Sequence, residues 1–270
     1  MNKMGVIFCC YGNPEYVKDC ILPWINLKQK YNIKIAAVHG QFKEYHDMGI
    51  PDDDKDTMFK LMRIYNTGLI DHLFIKSIDE GIGGEVYKTE SELRDECLQA
   101  LLKDGVDYVW LLDLDEFYTE KQIETIIEYI NREDNLFYTW FSIPFKNYLF
   151  DGKQWVSGFC PPRIFRANNY NNLYKLDKFY WDNDIQYLGY LDTVDISYKD
   201  LPNKSIPENL LSQGIKHLTW LHSNGEKKCA YQEKHFNGIC SYKFDKEKGE
   251  LYLNPDYYKD KPYPTIHKDE

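Results

Sequence analysis

Three acidic residues follow an apolar segment near the middle of the chain. Residues 106–112 have the composition of a buried strand, and Asp113, Asp115 and Glu116 come directly after them. On an extended chain Asp113 and Asp115 point to the same side, because side chains alternate with a period of two. Crowded carboxylates repel one another unless a cation offsets them, and Mg²⁺ and Mn²⁺ prefer such oxygen ligands. The pattern predicts a site for a metal diphosphate, with a solvated turn after a strand as the alternative.

The elements that position these acids alternate between strand and helix. Apolar runs predict strands at 5–11, 33–38, 72–78 and 106–112. Helical spacing of apolar residues predicts helices at 14–30, 89–103 and 120–131. This order predicts an α/β fold with a mostly parallel sheet covered by helices on both faces. Ligands of such sheets bind beyond the carboxyl ends of the strands, where the acids lie.

The second half of the chain has a different character. Short aromatic strands are predicted at 136–144, 148–155 and 162–166. We expect one domain over residues 1–244, made of two functional halves at 1–118 and 119–244. Residues 245–270 are charged and rich in Tyr, and are expected to form a tail or a peripheral strap.

The composition of the chain excludes several classes of protein. The 270 residues are 43% hydrophobic and carry a formal charge of −10, which is typical of a soluble globular protein and disfavours bulk binding to nucleic acid. Neither a long apolar run nor a signal peptide is recognisable, so a cytoplasmic protein without a membrane span is expected. The 7 cysteines include no CxxC pair, which favours reduced thiols. The composition does not indicate an oligomeric state.

The motifs and their order resemble those of GT-A glycosyltransferases, particularly family-2-like ones. In residues 94–117 a helix that carries Arg94 precedes a strand ending in Asp-Leu-Asp, which resembles the DxD motif of that fold. The turn at 12–16 resembles the loop that lies against the nucleotide. Downstream, Arg-Ile-Phe-Arg at 163–166 and Ile-Lys-His at 215–217 resemble two further signatures. The resemblance covers most of residues 5–235 and implies a GT-A fold. It also implies that the half at 1–118 binds the nucleotide sugar and that the half at 119–244 binds the acceptor.

The resemblance also implies roles for the matched residues. Asp115 would bind Mn²⁺ or Mg²⁺, and Asp113 would contact the ribose, or the metal through a water molecule. His217 would be a late ligand of the metal or the diphosphate, the alternative being a histidine satisfied by internal partners. Arg94 would face the diphosphate, the alternative being an ion pair with Glu90 on its own helix.

The remaining expected site residues contact the nucleotide or the acceptor. Tyr11 and Asn13 lie in the loop expected at the nucleotide, and Lys227 would reach phosphate unless it lies in a solvated turn. An inverting enzyme needs a carboxylate within about 3 Å of the acceptor hydroxyl to accept its proton. Asp192 is the first candidate for this base and Asp184 the second, on position alone.

These features together predict a metal-dependent glycosyltransferase. It would move a sugar from a nucleoside-diphosphate sugar, expected to be UDP-linked, to a hydroxyl of a carbohydrate or another acceptor. At the position of residues 38–40, family-2 enzymes commonly have an acidic residue that contacts the nucleobase. Residues 38–40 contain none, so the identity of the nucleobase is left open. One alternative is an inactive fold-mate that binds a nucleotide or a glycan. A second is a phosphohydrolase of the haloacid-dehalogenase type, whose acidic motif, however, lies on the first strand.

Overall fold

The computed structural model divides the chain into two compact units. The first consists of Met1–Ile143 and Pro161–Ser212, and the second of Pro144–Cys160 and Gln213–Glu270. The chain therefore leaves the first unit after residue 143 and returns to it at residue 161. The described residues are 2–49, 54–78, 81–149, 152–168, 175–182, 185–191, 201–211, 214–218, 229, 241–245, 247 and 250–269.

Helices and strands alternate in the first part of the chain, and strands follow one another in the second. The helices are α1 (Val17–Leu27), α2 (Lys43–Asp47), α3 (Lys55–Asn66), α4 (Glu90–Lys103) and α5 (Glu120–Ile130). The strands are β1 (Met4–Cys10), β2 (Ile33–His39), β3 (His72–Ile75), β4 (Tyr108–Asp113), β5 (Glu116–Phe117), β6 (Trp140–Ser142), β7 (Phe145–Leu149), β8 (Gln154–Phe159), β9 (Pro162–Arg166), β10 (Lys175–Asp182), β11 (Ile185–Leu191), β12 (Asn203–Ser205), β13 (Ile215–His217), β14 (Tyr242–Asp245), β15 (Glu250–Leu253) and β16 (Ile266–Lys268). Short 3₁₀ helices lie at Glu133–Asn135 and Glu208–Leu211.

The first unit is built on a seven-stranded sheet in the order β12-β6-β9-β4-β1-β2-β3. Strands β3, β2, β1 and β4 run parallel to one another. Strand β9 is antiparallel to both β4 and β6, and β12 is parallel to β6. Strands β10 and β11 form a separate antiparallel pair. The predicted α/β class with a mostly parallel sheet is confirmed.

Helices cover both faces of this sheet because the strands are apolar on both sides. On one face Trp24 of α1 packs edge-on against Phe8 and Trp110, with centroid distances of 6.2 and 4.7 Å. On the other face Leu98 of α4 belongs to the cluster that contains Ile7 and other buried residues of β1 and β4. The double cover explains why β4 is buried along most of its length.

Several helix boundaries follow from capping residues. The Thr89 hydroxyl accepts a hydrogen bond from the Glu92 N–H at 3.1 Å, so α4 begins after Thr89 as the sequence predicts. Thr119 and Gln122 form a reciprocal capping box that starts α5. Helix α3 was not predicted. None of the helices that the structure describes is both long and apolar enough to cross a membrane.

The second unit contains four neighbouring strands in the order β16-β8-β7-β13, and a separate pair of β14 with β15. The predicted single strand at 148–155 is wrong, since β7 ends at Leu149 and β8 begins at Gln154. Gly152 has a φ of 68° and donates its N–H to the Leu149 carbonyl at 2.9 Å, which closes a turn. The predicted division at residue 244 stays a prediction.

Candidate functional site

The acidic residues lie at the point where the order of the parallel strands reverses. Strand β1 has β2 on one side and β4 on the other, so the chain crosses β1 between β3 and β4. Asp113 is the last residue of β4 and lies opposite Cys9 of β1 in the register. The carboxyl ends of strands at such a reversal form the crevice where open α/β sheets bind ligands. The predicted position at the carboxyl end of a strand is confirmed for Asp113.

Two arginines from different elements hold the Asp113 carboxylate. Arg94 of α4 donates from Nη2 to Oδ1 at 3.2 Å, and Arg163 of β9 donates from Nη2 to Oδ2 at 2.9 Å. Arg94 also pairs with Glu90, and Arg163 also pairs with Glu116. The ion pair of Arg94 with Glu90, which was the alternative reading of this residue, is present, and the expected role of Arg94 at the diphosphate stays a prediction.

The arginines offset negative charge at this end of the strands. Arg94 and Arg163 pair with Glu90, Asp113 and Glu116, and Asp115 lies close enough to raise the pKa of Glu116. The two arginine side chains are 7% and 10% exposed, which shields these ion pairs from bulk water. The repulsion expected from the sequence is therefore relieved in part by the protein itself.

Glu116 is the most deeply buried of these acids, with no exposed surface. Burial raises its pKa well above the usual range, Arg163 opposes that increase, and Asp113 and Asp115 add to it. The backbone carbonyl of Glu116 accepts a hydrogen bond from the Cys20 thiol at 3.3 Å, which ties β5 to α1. Because Glu116 is fully buried and pairs with Arg163, it supports the neighbouring residues and does not face a ligand.

Cys9 lies beside the same arginine. Its sulfur accepts a hydrogen bond from Arg94 Nε at 3.4 Å. Burial raises the pKa of the Cys9 thiol to about 12, although Arg94 acts in the opposite direction. Cys9 is therefore a protonated thiol near neutral pH, and it is not a nucleophile of this site.

The loop after β1, with Tyr11 and Asn13, is fixed by Asp54, a residue that the sequence analysis did not single out. The Asp54 carboxylate accepts hydrogen bonds from the Gly12 N–H and, at 3.3 Å, from His39 Nε2 at the end of β2. It also caps α3 by accepting from the Thr57 N–H at 3.4 Å. Asp54 thus ties three segments together at the carboxyl ends of the strands.

Asp54 is held as an anion. Burial raises its pKa, but the hydrogen bonds from His39 and Gly12 outweigh burial, so the net effect is a lowered pKa. The ring of Tyr11 lies 5.7 Å from that of His39, and Gly12 and Asn13 have φ values of 61° and 89°. An Asp at a helix N-cap is the sequence signal that could have indicated this residue.

Asp115 follows in the turn between β4 and β5 and is 7% exposed. It acts on the phenol of Tyr16, whose pKa is raised first by burial and then by Glu15 and Asp115. Asp115 therefore lies near Tyr16, at the start of α1.

The donor set can be compared with what a divalent metal needs. No group of three or more His, Cys, Asp or Glu side chains among the described residues is placed to hold a metal ion. Mg²⁺ and similar ions often bind through one or two carboxylates and complete their shell with water and substrate phosphates. Asp113, whose side chain is 33% exposed, and Asp115 fit that mode of binding.

His217 belongs to the second unit. Its Nδ1 is hydrogen-bonded to Oδ1 of Asn147, and its ring lies 5.3 Å from that of Phe145 and 5.6 Å from that of Phe159. Such partners are expected of a histidine that is satisfied by internal contacts, which is the alternative given above. Its predicted role as a ligand stays a prediction. Asp184, Asp192 and Lys227 lie outside the described residues.

Comparison with known proteins gives matches among solved structures alone. No family model and no curated protein matches the chain. S. aureus TarS residues 1–349 aligns with a TM-score of 0.40 and 13% identity over 61% of this chain and 47% of that one. The complex of the same fragment with UDP-GlcNAc aligns with a TM-score of 0.40 and 14% identity over 65% and 49%.

A putative nucleotide-diphospho-sugar transferase from Desulfovibrio desulfuricans G20 aligns with a TM-score of 0.25 and 14% identity, over 62% of this chain and 64% of that one. The chain spans less than two thirds of each of these three structures. The α/β fold of the first unit is established by its own strand order.

Proposed function

We propose that the chain is a metal-dependent glycosyltransferase that moves a sugar from a nucleoside diphosphate to an acceptor hydroxyl. The observation that carries the proposal is the position of Asp113 and Asp115. They lie at the end of β4, next to β1, where a parallel sheet offers its ligand crevice. Carboxylates this close together favour a divalent cation, and a nucleoside diphosphate binds through such a cation.

Each described residue of the candidate site has a role in this proposal. Asp115 holds the metal, and Asp113 contacts the ribose or a water molecule of the metal shell. Arg94 orients Asp113 and adds positive charge for the diphosphate. Tyr11 and Asn13 contact the nucleotide, in a loop that Asp54 keeps in place. A bound Mn²⁺ or Mg²⁺ supplies the charge that stabilises the leaving diphosphate.

The proton of the acceptor hydroxyl requires a base. Asp192 is proposed first and Asp184 second, as predicted from the sequence. We also propose that Lys227 contacts phosphate and that His217 is a late ligand of the metal or the diphosphate. UDP-sugars are the first donors to test, with a carbohydrate as the acceptor.

The test is release of the nucleoside diphosphate from a panel of UDP- and GDP-sugars with Mn²⁺, in the wild type and in Asp115→Ala. We expect the variant to lose turnover, because the metal loses its principal ligand, while its circular dichroism spectrum is unchanged. Asp107→Asn is a matched control, since Asp107 precedes the amino end of β4 and bonds the Lys3 N–H at 2.6 Å. Full activity in D115A would refute the proposal. Tight nucleotide binding without turnover in the wild type would favour an inactive binding protein.

A further inference from the structure

The Arg-Ile-Phe-Arg segment places two buried arginines on opposite faces of β9. Arg163 and Arg166 are three positions apart, and side chains alternate along a strand, so the two point in opposite directions. They are 8% and 6% exposed. The matched burial and the shared strand make the two arginines a natural pair for comparison.

Arg166 contacts a part of the unit remote from the acids. Its Nε donates to the Tyr138 carbonyl at 3.0 Å, and its guanidinium lies 4.4 Å from the centre of the Tyr108 ring. Tyr108 begins β4, at the end opposite to Asp113. These contacts hold β9 against its neighbours and do not involve Asp113, Asp115 or Glu116.

Arg163 instead bridges two of the acids. One nitrogen, Nη2, lies 2.9 Å from Asp113 Oδ2 and also contacts Glu116 Oε1. Asp113 is the last residue of β4 and Glu116 the first of β5, and the turn between them carries Asp115. Arg163 thus holds both ends of the turn on which Asp115 lies.

The charges explain why this bridge is needed. Asp113 and Glu116 repel one another, and Glu116 is fully buried, where an unpaired charge is costly. With an uncharged residue in place of Arg163, the two carboxylates would lose the group that holds them together and would move apart. This change alters the turn, and a displacement of about 1 Å at a reacting centre can lower a rate by about 10²-fold.

We infer that Arg163 is a positioning residue of this site, which sets the place of Asp115 by joining Asp113 to Glu116. The inference rests on the proposed function, in which Asp115 holds the metal. Arg163 lies beneath the turn and touches the acids, so its effect on a ligand is exerted through Asp115.

The experiment compares Arg163→Met, Arg163→Lys and the control Arg166→Met. Each variant is assayed for kcat/KM with the nucleotide sugar that the wild type uses, and for the Mn²⁺ concentration that gives half-maximal rate. We expect R163M to lose about 10²-fold in kcat/KM and to need more Mn²⁺, and R163K to recover part of both. R166M should melt at a lower temperature but keep kcat/KM and the Mn²⁺ midpoint near the wild-type values. Wild-type values in R163M, or equal losses in R166M, would overturn the inference.

A second measurement does not depend on turnover. The midpoints of urea unfolding are compared for R163M, Asp113→Asn and the double variant. If Arg163 holds Asp113, the shift of the double variant is smaller than the sum of the two single shifts. Additive shifts would overturn the bridge. Non-additive shifts in a protein without any nucleotide-sugar turnover would refute the proposed function and leave the bridge in place.

Discussion

Replacing Asp54 by Ala removes the carboxylate that joins the loop after β1, the end of β2 and the start of α3. The loss of a helix N-cap costs about 1 kcal/mol. The side chain of His39, which is buried, also loses its partner, and a buried donor without one costs about 1–3 kcal/mol. We therefore expect D54A to lower the free energy of unfolding by about 2–4 kcal/mol.

Asp54→Asn removes the charge and one of the two acceptor oxygens. Asn caps helices as well as Asp does, but its single carbonyl oxygen can replace either Oδ1, which accepts from Thr57, or Oδ2, which accepts from Gly12 and His39, so the loss should be about 1–2 kcal/mol. Both variants are measured by urea unfolding, with the slope of the transition as a check that two-state behaviour holds. A loss below about 0.5 kcal/mol in D54A, the size of an ordinary surface substitution, would refute the assigned contacts.

The pH dependence of D54N provides an independent check. The pKa of Asp54 is lowered in the folded protein, so the ionised carboxylate stabilises the fold above the unfolded-state pKa of about 3.9. That stabilisation is lost as the pH falls through the folded-state pKa. The difference in stability between wild type and D54N should therefore be full at pH 7 and shrink below about pH 4. A difference that is constant from pH 7 to pH 3 would show that charge has no part in it.

Two further predictions concern close packing and the thiols. A Cβ at Gly40 would lie 2.8 Å from Cε2 of Tyr87 and 2.9 Å from the Lys76 carbonyl, so Gly40→Ala should cost about 1–3 kcal/mol in urea unfolding, and an unchanged midpoint would contradict this packing. Cys160 is exposed whereas Cys97 is fully buried, so an uncharged thiol reagent followed by peptide mapping should label Cys160 in the native protein and Cys97 only after unfolding. Rapid native labelling of Cys97 would show that α4 opens.

Most of the first unit is predictable from the sequence because its strands are buried on both faces. Continuous apolar runs mark β1, β2 and β4, and Thr89 marks the start of α4. Helix α3 was missed although its sequence carries a helical signal, since Met58 and Leu61 are buried on one face and Asp54 caps the helix at its start. An Asp followed by apolar residues at helical spacing is the pattern that could have predicted it.

The candidate site is predictable only in part. Asp113, Asp115 and Glu116 follow one another in sequence, so a single segment shows that they lie together. Arg163 reaches Asp113 across 50 positions, and Asp54 reaches Gly12 across 42. Such contacts depend on which strands become neighbours, and one sequence carries no direct signal of that pairing.

The place of β9 in the sheet has a consequence for biosynthesis. Strand β9 lies between β4 and β6, although the chain passes through the second unit before reaching it. Until residue 166 has left the ribosome, β4 is an edge strand with its apolar residues next to an open row of backbone hydrogen-bonding groups. Nascent chains and fragments that stop before residue 162 should therefore aggregate or require a chaperone, and those that extend past β9 should not.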